Sequence, residues 1–196
     1  VNTEPPLDVA AWREGERARL LETRRTIPLD IHQAASASIM RALAAILPGA
    51  NNVTIGCYWP IRREPDCLPF MREVANRGCR VALPVVIARG TALEFRLWTE
   101  TTRMEAGVWN IPQPADGARV TPAVLVIPLV GFDDEGYRLG YGGGYYDVTL
   151  ASFFPRAFTM GVGFEASYLP TIYPQAHDVP MDVILTEQRT RIFRGC

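Results

Sequence analysis

From residue 8 to 25 the chain alternates as an amphipathic helix: Val9, Trp12, Leu20 and Leu21 lie roughly on one side, and arginines and glutamates fill the rest. Pro28 breaks that pattern, and a second helix is predicted from about Asp30 to Leu47, ending at Pro48-Gly49. Then the period changes. VTIGCYW (53–59) is a short apolar run enriched in β-branched and aromatic residues, and a helix is predicted over 65–77. RVALPVV (80–86) and LEFRLWT (93–99) read as strands with Arg89-Gly90 turning between them. A loop holding GVWNIPQP (107–114) precedes VLVIPLV (124–130), which is apolar almost throughout, as a strand buried on both faces must be. After a glycine-rich segment come a helix from about Gly144 to Phe153 and the strands FTMGVGF (158–164) and VILT (183–186). Strands alternating with helices predict an α/β protein: a three-layer αβα sandwich, Rossmann-like, around a largely parallel sheet. No repeat or linker interrupts it, so 196 residues are read as a single domain, with residues 1–7 as a flexible N-terminal extension.

Composition narrows the partners. A formal net charge of -1 gives no reason to expect nucleic acid or an anionic membrane. No apolar run approaches the roughly 20 residues a membrane span needs, and the N-terminus lacks the layout of a signal peptide. A cytoplasmic protein is the expectation, with a monomer favoured and the oligomeric state left open. All twenty basic residues are arginines, so any cationic site here must use the planar guanidinium, which grips phosphate and carboxylate in bidentate fashion. Cys57, Cys67, Cys79 and Cys196 show no CxxC spacing, and with only His32 and His177 they predict free thiols rather than a zinc site.

The candidate chemistry is concentrated in RLGYGGGYYD (138–147). Gly140, Gly142 and Gly144 allow close backbone approach and left-handed conformations, and a helix starting near Gly144 would add its N-terminal amides toward an anion. The spacing fits neither GxGxxG nor the Walker pattern, so the residues alone admit both a phosphate cradle and a structural turn. Asp147 is a hard oxygen ligand suited to Mg²⁺, and HDVPMD (177–182) offers a second candidate in Asp178 and Asp182, which flank a proline; each also has a plainer reading, Asp178 as a turn cap and Asp182 as the residue before a strand. Tyr145 and Tyr146 suit either stacking on a ligand ring or packing beneath the helix. DDEG (133–136) reads as a surface β-turn without chemistry.

Taken together, VIPLVGFDDEGYRLGYGGGYYDVTLA, WNIPQP and IYPQAHDVPMDVILTE resemble the 5-formyltetrahydrofolate cyclo-ligase family in order and spacing, most strongly over 109–187. The resemblance implies an enzyme that uses ATP and Mg²⁺ to convert 5-formyltetrahydrofolate to 5,10-methenyltetrahydrofolate. It implies that Arg13 and Arg17, one turn apart on the first helix, reach the ATP phosphates and the folate, with Arg17 and Glu64 catalytic. Gly140, Tyr141, Gly142, Gly143, Gly144, Tyr145, Tyr146 and Asp147 form the nucleotide loop. The resemblance further implies that Trp59, Glu64, Trp109 and Tyr145 meet the folate and that Asp147 and Asp182 attend the magnesium. Three departures stand out: Arg13 stands where the family usually has lysine, Gly143 occupies a position where many relatives carry lysine, and Tyr141 one where arginine is frequent. The loop must then obtain positive charge elsewhere, from Arg138, or from Arg62 or Arg63. The lost lysine also keeps two other readings open, a divergent paralogue with another substrate and a non-catalytic nucleotide- or folate-binding regulator.

Overall fold

The arginine-rich N-terminal segment forms helix α1 (Val9–Thr26) in the computed structural model, which describes residues 5–47 and 52–194. Asp8 caps it, its carboxylate accepting from Ala11 N at 2.9 Å. Pro28 then fixes an extended backbone and α2 (Leu29–Ile46) begins. Residues 1–4 of the expected extension, the Pro48-Gly49 stop and Cys196 lie outside the described residues. The chain continues through β1 (Thr54–Gly56), α3 (Leu68–Asn76), β2 (Arg80–Val85), β3 (Glu94–Trp98), β4 (Met104–Ala106), β5 (Pro112–Pro114), β6 (Arg119–Val120) and β7 (Val124–Pro128). It ends with β8 (Gly131–Phe132), β9 (Arg138–Leu139), α4 (Tyr145–Ser152), β10 (Phe158–Val162), β11 (Val183–Leu185) and β12 (Thr190–Ile192).

Eight strands share one sheet in the order β12-β11-β10-β7-β1-β2-β3-β6. The five from β11 to β2 are mutually parallel, and antiparallel strands flank them on both sides. Because strand side chains alternate between faces, the apolar runs feed two cores at once. Val81, Leu83 and Val126 meet α2 and α3 on one face, through Ile39, Leu43, Phe70 and Met71. Ala82, Leu125 and Ile127 meet Leu150 of α4 on the other. The expected αβα, largely parallel fold is the one present.

Several boundaries differ from expectation for local reasons. The run 53–59 pairs only over three residues: Cys57 N still donates to Ala82 O at 2.8 Å, and the chain then turns off the sheet. Helix α3 begins at Leu68, not 65, because Asp66 turns the chain by accepting from Leu68 N and Pro69 opens the first turn. The expected loop around 107–114 contains the β4–β5 hairpin, and β8 and β9 flank DDEG. DDEG does turn, but Asp133 is buried: its carboxylate accepts from the amides of Glu135, Tyr137 and Ile172, an anchor inside the fold rather than a surface residue.

The topology also fixes where a ligand can go. From β1 the chain passes through α3 to β2 and β3 on one side, and later enters β7 on the other side of β1. A sheet of this kind opens a crevice beyond the carboxyl ends of the strands that flank such a reversal.

Candidate active site

A cleft lies at that point, lined from β1 by Tyr58, Trp59, Ile61 and Glu64. The segment after β1 doubles back sharply, with Arg62 and Arg63 both left-handed (φ 46° and 58°). Tyr58 closes the turn by donating its hydroxyl to Pro65 O at 2.6 Å. Glu64 is thereby turned inward, 3% exposed, with Oε2 accepting from Ile61 N at 2.9 Å. Burial pushes its carboxyl up to about 7, against the opposing pull of the Ile61 amide, Arg24, Tyr141 and Arg62. A group so poised can hold or release a proton near neutral pH.

Facing it, the glycine segment runs from β9 into α4. Gly142 and Gly144 adopt φ of 92° and 67°, conformations that a side chain would strain. Among the described residues the amides of Gly142, Gly143 and Gly144 donate to no protein acceptor, which leaves them available to a ligand. Arg17 lies against this loop, its Nε donating to Gly140 O at 2.8 Å and its guanidinium 3.6 Å from where a Cβ on Gly142 would stand. The guanidinium placed against the loop thus comes from α1. Arg63 turns away to donate to Ile27 O, Arg62 lies over the Tyr141 ring at 5.4 Å, and neither lines the cleft.

The other predicted residues divide. Trp59, Trp109, Tyr145 and Tyr146 line the cleft, and Trp109, 64% exposed, meets Tyr145 edge-on with centroids 5.8 Å apart. Arg13 also lines it, but its guanidinium is engaged by Ile172 O, Tyr173 O and a buried ion pair with Asp178 at 2.5 Å. Burial alone would raise Asp178; its bonds from Arg13 and the Gln175 amide hold it below the usual carboxylate range. Arg138 donates to Val179 O and to Asp147 Oδ1 at 2.8 Å, so it orients the aspartate more directly than the loop. Val179 N also donates to Oδ1, and Oδ2 of Asp147 has no partner among the described residues.

Asp182 corrects the expected magnesium pair. It is 3% exposed and does not line the cleft; Oδ2 accepts from the amide and hydroxyl of Thr159, both at 2.8 Å, and Oδ1 faces Arg156 at 3.2 Å. The two aspartates are not brought together as a ligand pair. Among the described residues no group of three acidic, histidine or cysteine side chains could hold a metal by itself.

Sequence reasoning missed Arg24. It is 2% exposed, donating Nη2 to the Tyr141 hydroxyl at 2.5 Å, while that hydroxyl donates to Glu64 Oε1 at 2.8 Å. The signal was present in spacing: 13, 17, 20 and 24 share one helical face, and Leu20 on it is buried.

A cleft built this way, at a reversal point of a mostly parallel sheet with a titratable carboxylate inside, marks an α/β enzyme acting on small molecules. The comparisons narrow the class. The family model for 5-formyltetrahydrofolate cyclo-ligases matches residues 9–187, and this chain belongs to that family and so to the ligases. The 5-formyltetrahydrofolate cyclo-ligase of Haemophilus influenzae is 38% identical over 165 residues, 80% of this chain and 87% of its own. That of Mycolicibacterium smegmatis is 27% identical over 181 residues, covering 88% and 92%. The NMR structure of Aquifex aeolicus 5,10-methenyltetrahydrofolate synthetase superposes with a TM-score of 0.80 at 28% identity, covering 94% of each chain. No helix among the described residues is long and apolar enough to cross a membrane.

Proposed function

We propose that this chain converts 5-formyltetrahydrofolate to 5,10-methenyltetrahydrofolate at the expense of ATP with Mg²⁺, releasing ADP and phosphate. The observation that carries the reading is the meeting, in one cleft of a cyclo-ligase family member, of an arginine-backed glycine loop with a buried carboxylate poised near neutrality. The terminal phosphoryl group of ATP passes to the formyl oxygen, N10 of the folate attacks the activated carbon, and phosphate leaves. Such transfer asks the protein chiefly to position groups and neutralise charge.

Each part of the cleft has a task in that sequence. The loop amides and Arg17 hold phosphate oxygens. Trp59, Trp109 and Tyr145 supply flat apolar surface for the pterin. Glu64 accepts a hydrogen bond or a proton from the folate. Of the carboxylates lining the cleft, Glu64 and Asp178 have both oxygens engaged, and Asp147 keeps one open. One open carboxylate fits Mg²⁺ carried mainly by the phosphates themselves, and the ion would neutralise charge on them.

Incubation with 5-formyltetrahydrofolate, ATP and Mg²⁺ tests the proposal through the near-ultraviolet absorbance of the methenyl product. Product dependent on all three is expected. Absence of product at high enzyme concentration sinks the reading, and ATP binding without formyl-folate turnover would favour a paralogue with another substrate.

A further inference from the structure

The Tyr141 hydroxyl sits between a group that can only donate and a group that is fitted to accept. Arg24 has no acceptor atom, so at 2.5 Å its Nη2 must donate to the phenol oxygen. The single phenol proton is then directed to Glu64 Oε1 at 2.8 Å. The other Glu64 oxygen already accepts from Ile61 N, so donors meet both carboxylate oxygens. We propose that Tyr141 and Arg24 are positioning residues for Glu64: the hydroxyl between them ties the glycine loop to the carboxylate and favours its ionised, accepting form.

Two further observations favour this over simple packing. Arg24 is 2% exposed, and its Nε is buried without a hydrogen-bond partner. A contact made only to fill space between α1 and β7 would be served by an apolar side chain, without an unsatisfied donor. The guanidinium also reaches Leu129 O at the end of β7, so it holds a fixed place from which to orient the phenol. Burial and the nearby Glu64 push the Tyr141 phenol up, so it keeps the proton that the arrangement needs. The ring also has the guanidinium carbons of Arg24 and Arg62 at 5.8 and 5.4 Å from its centre.

The groups acting on Glu64 come from every element around it. Arg24 of α1 and Arg62 of its own turn favour the charged carboxylate, as do the Ile61 amide and the Tyr141 hydroxyl. Tyr58 beside β1 and Tyr146 on α4 also feel its charge, and both phenols are pushed up, chiefly by burial. None of these neighbours replaces the hydroxyl proton on Oε1. Its removal leaves burial less opposed, and Glu64 should take up a proton at higher pH.

As a role for Glu64 in turnover, the inference rests on the proposed reaction; as a statement about its proton, it does not. Tyr141→Phe deletes only the hydroxyl. The titration of Glu64 is followed in the ligand-free protein by carboxyl carbon NMR, with the resonance assigned through Glu64→Gln. The expected result is a midpoint raised by about one pH unit in Tyr141→Phe, the size a lost hydrogen bond to a charged group implies. The acid limb of kcat/KM moves the same way, and Arg24→Lys, which retains a cation, shifts it less than Arg24→Gln. An unchanged Glu64 titration in folded Tyr141→Phe overturns the proposal. Absence of formyl-folate turnover by the wild-type protein would strike the reaction alone, since the titration is read without substrate.

Discussion

Asp147 and Asp182 are the same residue type, but Asp147 keeps one oxygen free of protein partners among the described residues and Asp182 does not. Asp182 is closed off, with the amide and hydroxyl of Thr159 on one oxygen and Arg156 beside the other. Asparagine there would put an amide donor or a weaker acceptor against groups that need a carboxylate. Asp182→Asn should therefore lower stability by about 1–3 kcal/mol, read by urea denaturation, without changing the Mg²⁺ concentration that half-saturates activity. Asp147→Asn should raise that concentration about tenfold, a loss of roughly 1.4 kcal/mol of metal positioning. A Mg²⁺ requirement that moved with Asp182 and not with Asp147 would restore Asp182 as a ligand. The arginines divide in the same way. Arg19 and Arg25 form ion pairs with glutamates one turn earlier at the surface, whereas Arg13, Arg17 and Arg24 reach other segments. Composition could not separate them, because a helix dense in arginine hides which side chains its buried stripe carries inward.

At the scale of elements, close approach is what the glycines decide. A Cβ on Gly56 of β1 would stand 2.5 Å from Leu125 Cδ2 and 2.8 Å from the Phe95 ring, in a core with no slack. Gly15, exposed on α1, has nothing within 4 Å of its virtual Cβ. Gly56→Ala should therefore destabilise by about 1–3 kcal/mol through overpacking, while Gly15→Ala should stabilise by roughly 0.5–1 kcal/mol through helix propensity. Thermal unfolding of the two variants checks the signs, and equal shifts would contradict the account. The strands and helices that bury an apolar stripe were legible for the same physical reason: VLVIPLV must be covered on both faces, and both α2 with α3 and α4 cover it. The small elements were not. The β4–β5 hairpin buries little, and β8–β9, though Phe132 and Leu139 are buried, has strands of two residues each, too short for an alternating pattern, and is held by the Asp133 anchor, whose partner Ile172 is 39 residues distant. The cleft was legible as a set of motifs, but which of its arginines meet the loop depends on how α1 packs against Val130, Leu139, Leu169 and Ile172, which no local pattern encodes.

For the molecule as a whole, burying Glu64 makes folding sensitive to pH. Its carboxyl stands near 7 in the folded protein against an ordinary value of 4.5, so between those limits the folded state holds a proton that the unfolded chain has released. The sign follows: the contribution is complete below about 4.5 and is lost as pH rises through 7. Asp178 and Glu165, held below the usual carboxylate range, act in the opposite direction, losing their contribution as pH falls. Overall stability therefore mixes the two, and the difference between the wild type and Glu64→Gln isolates the buried group. Glutamine lacks the titration, so that difference should shift against the wild type by roughly 3 kcal/mol between pH 4.5 and 8. Denaturant midpoints at several pH values measure it. A flat difference would mean that Glu64 is solvated when folded, and a shift favouring the wild type at high pH would mean that its donors outweigh its burial. The loss at neutral pH is recovered when a ligand supplies a further donor to the carboxylate, so a folate bound at Glu64 should stabilise the protein more at pH 8 than at pH 5.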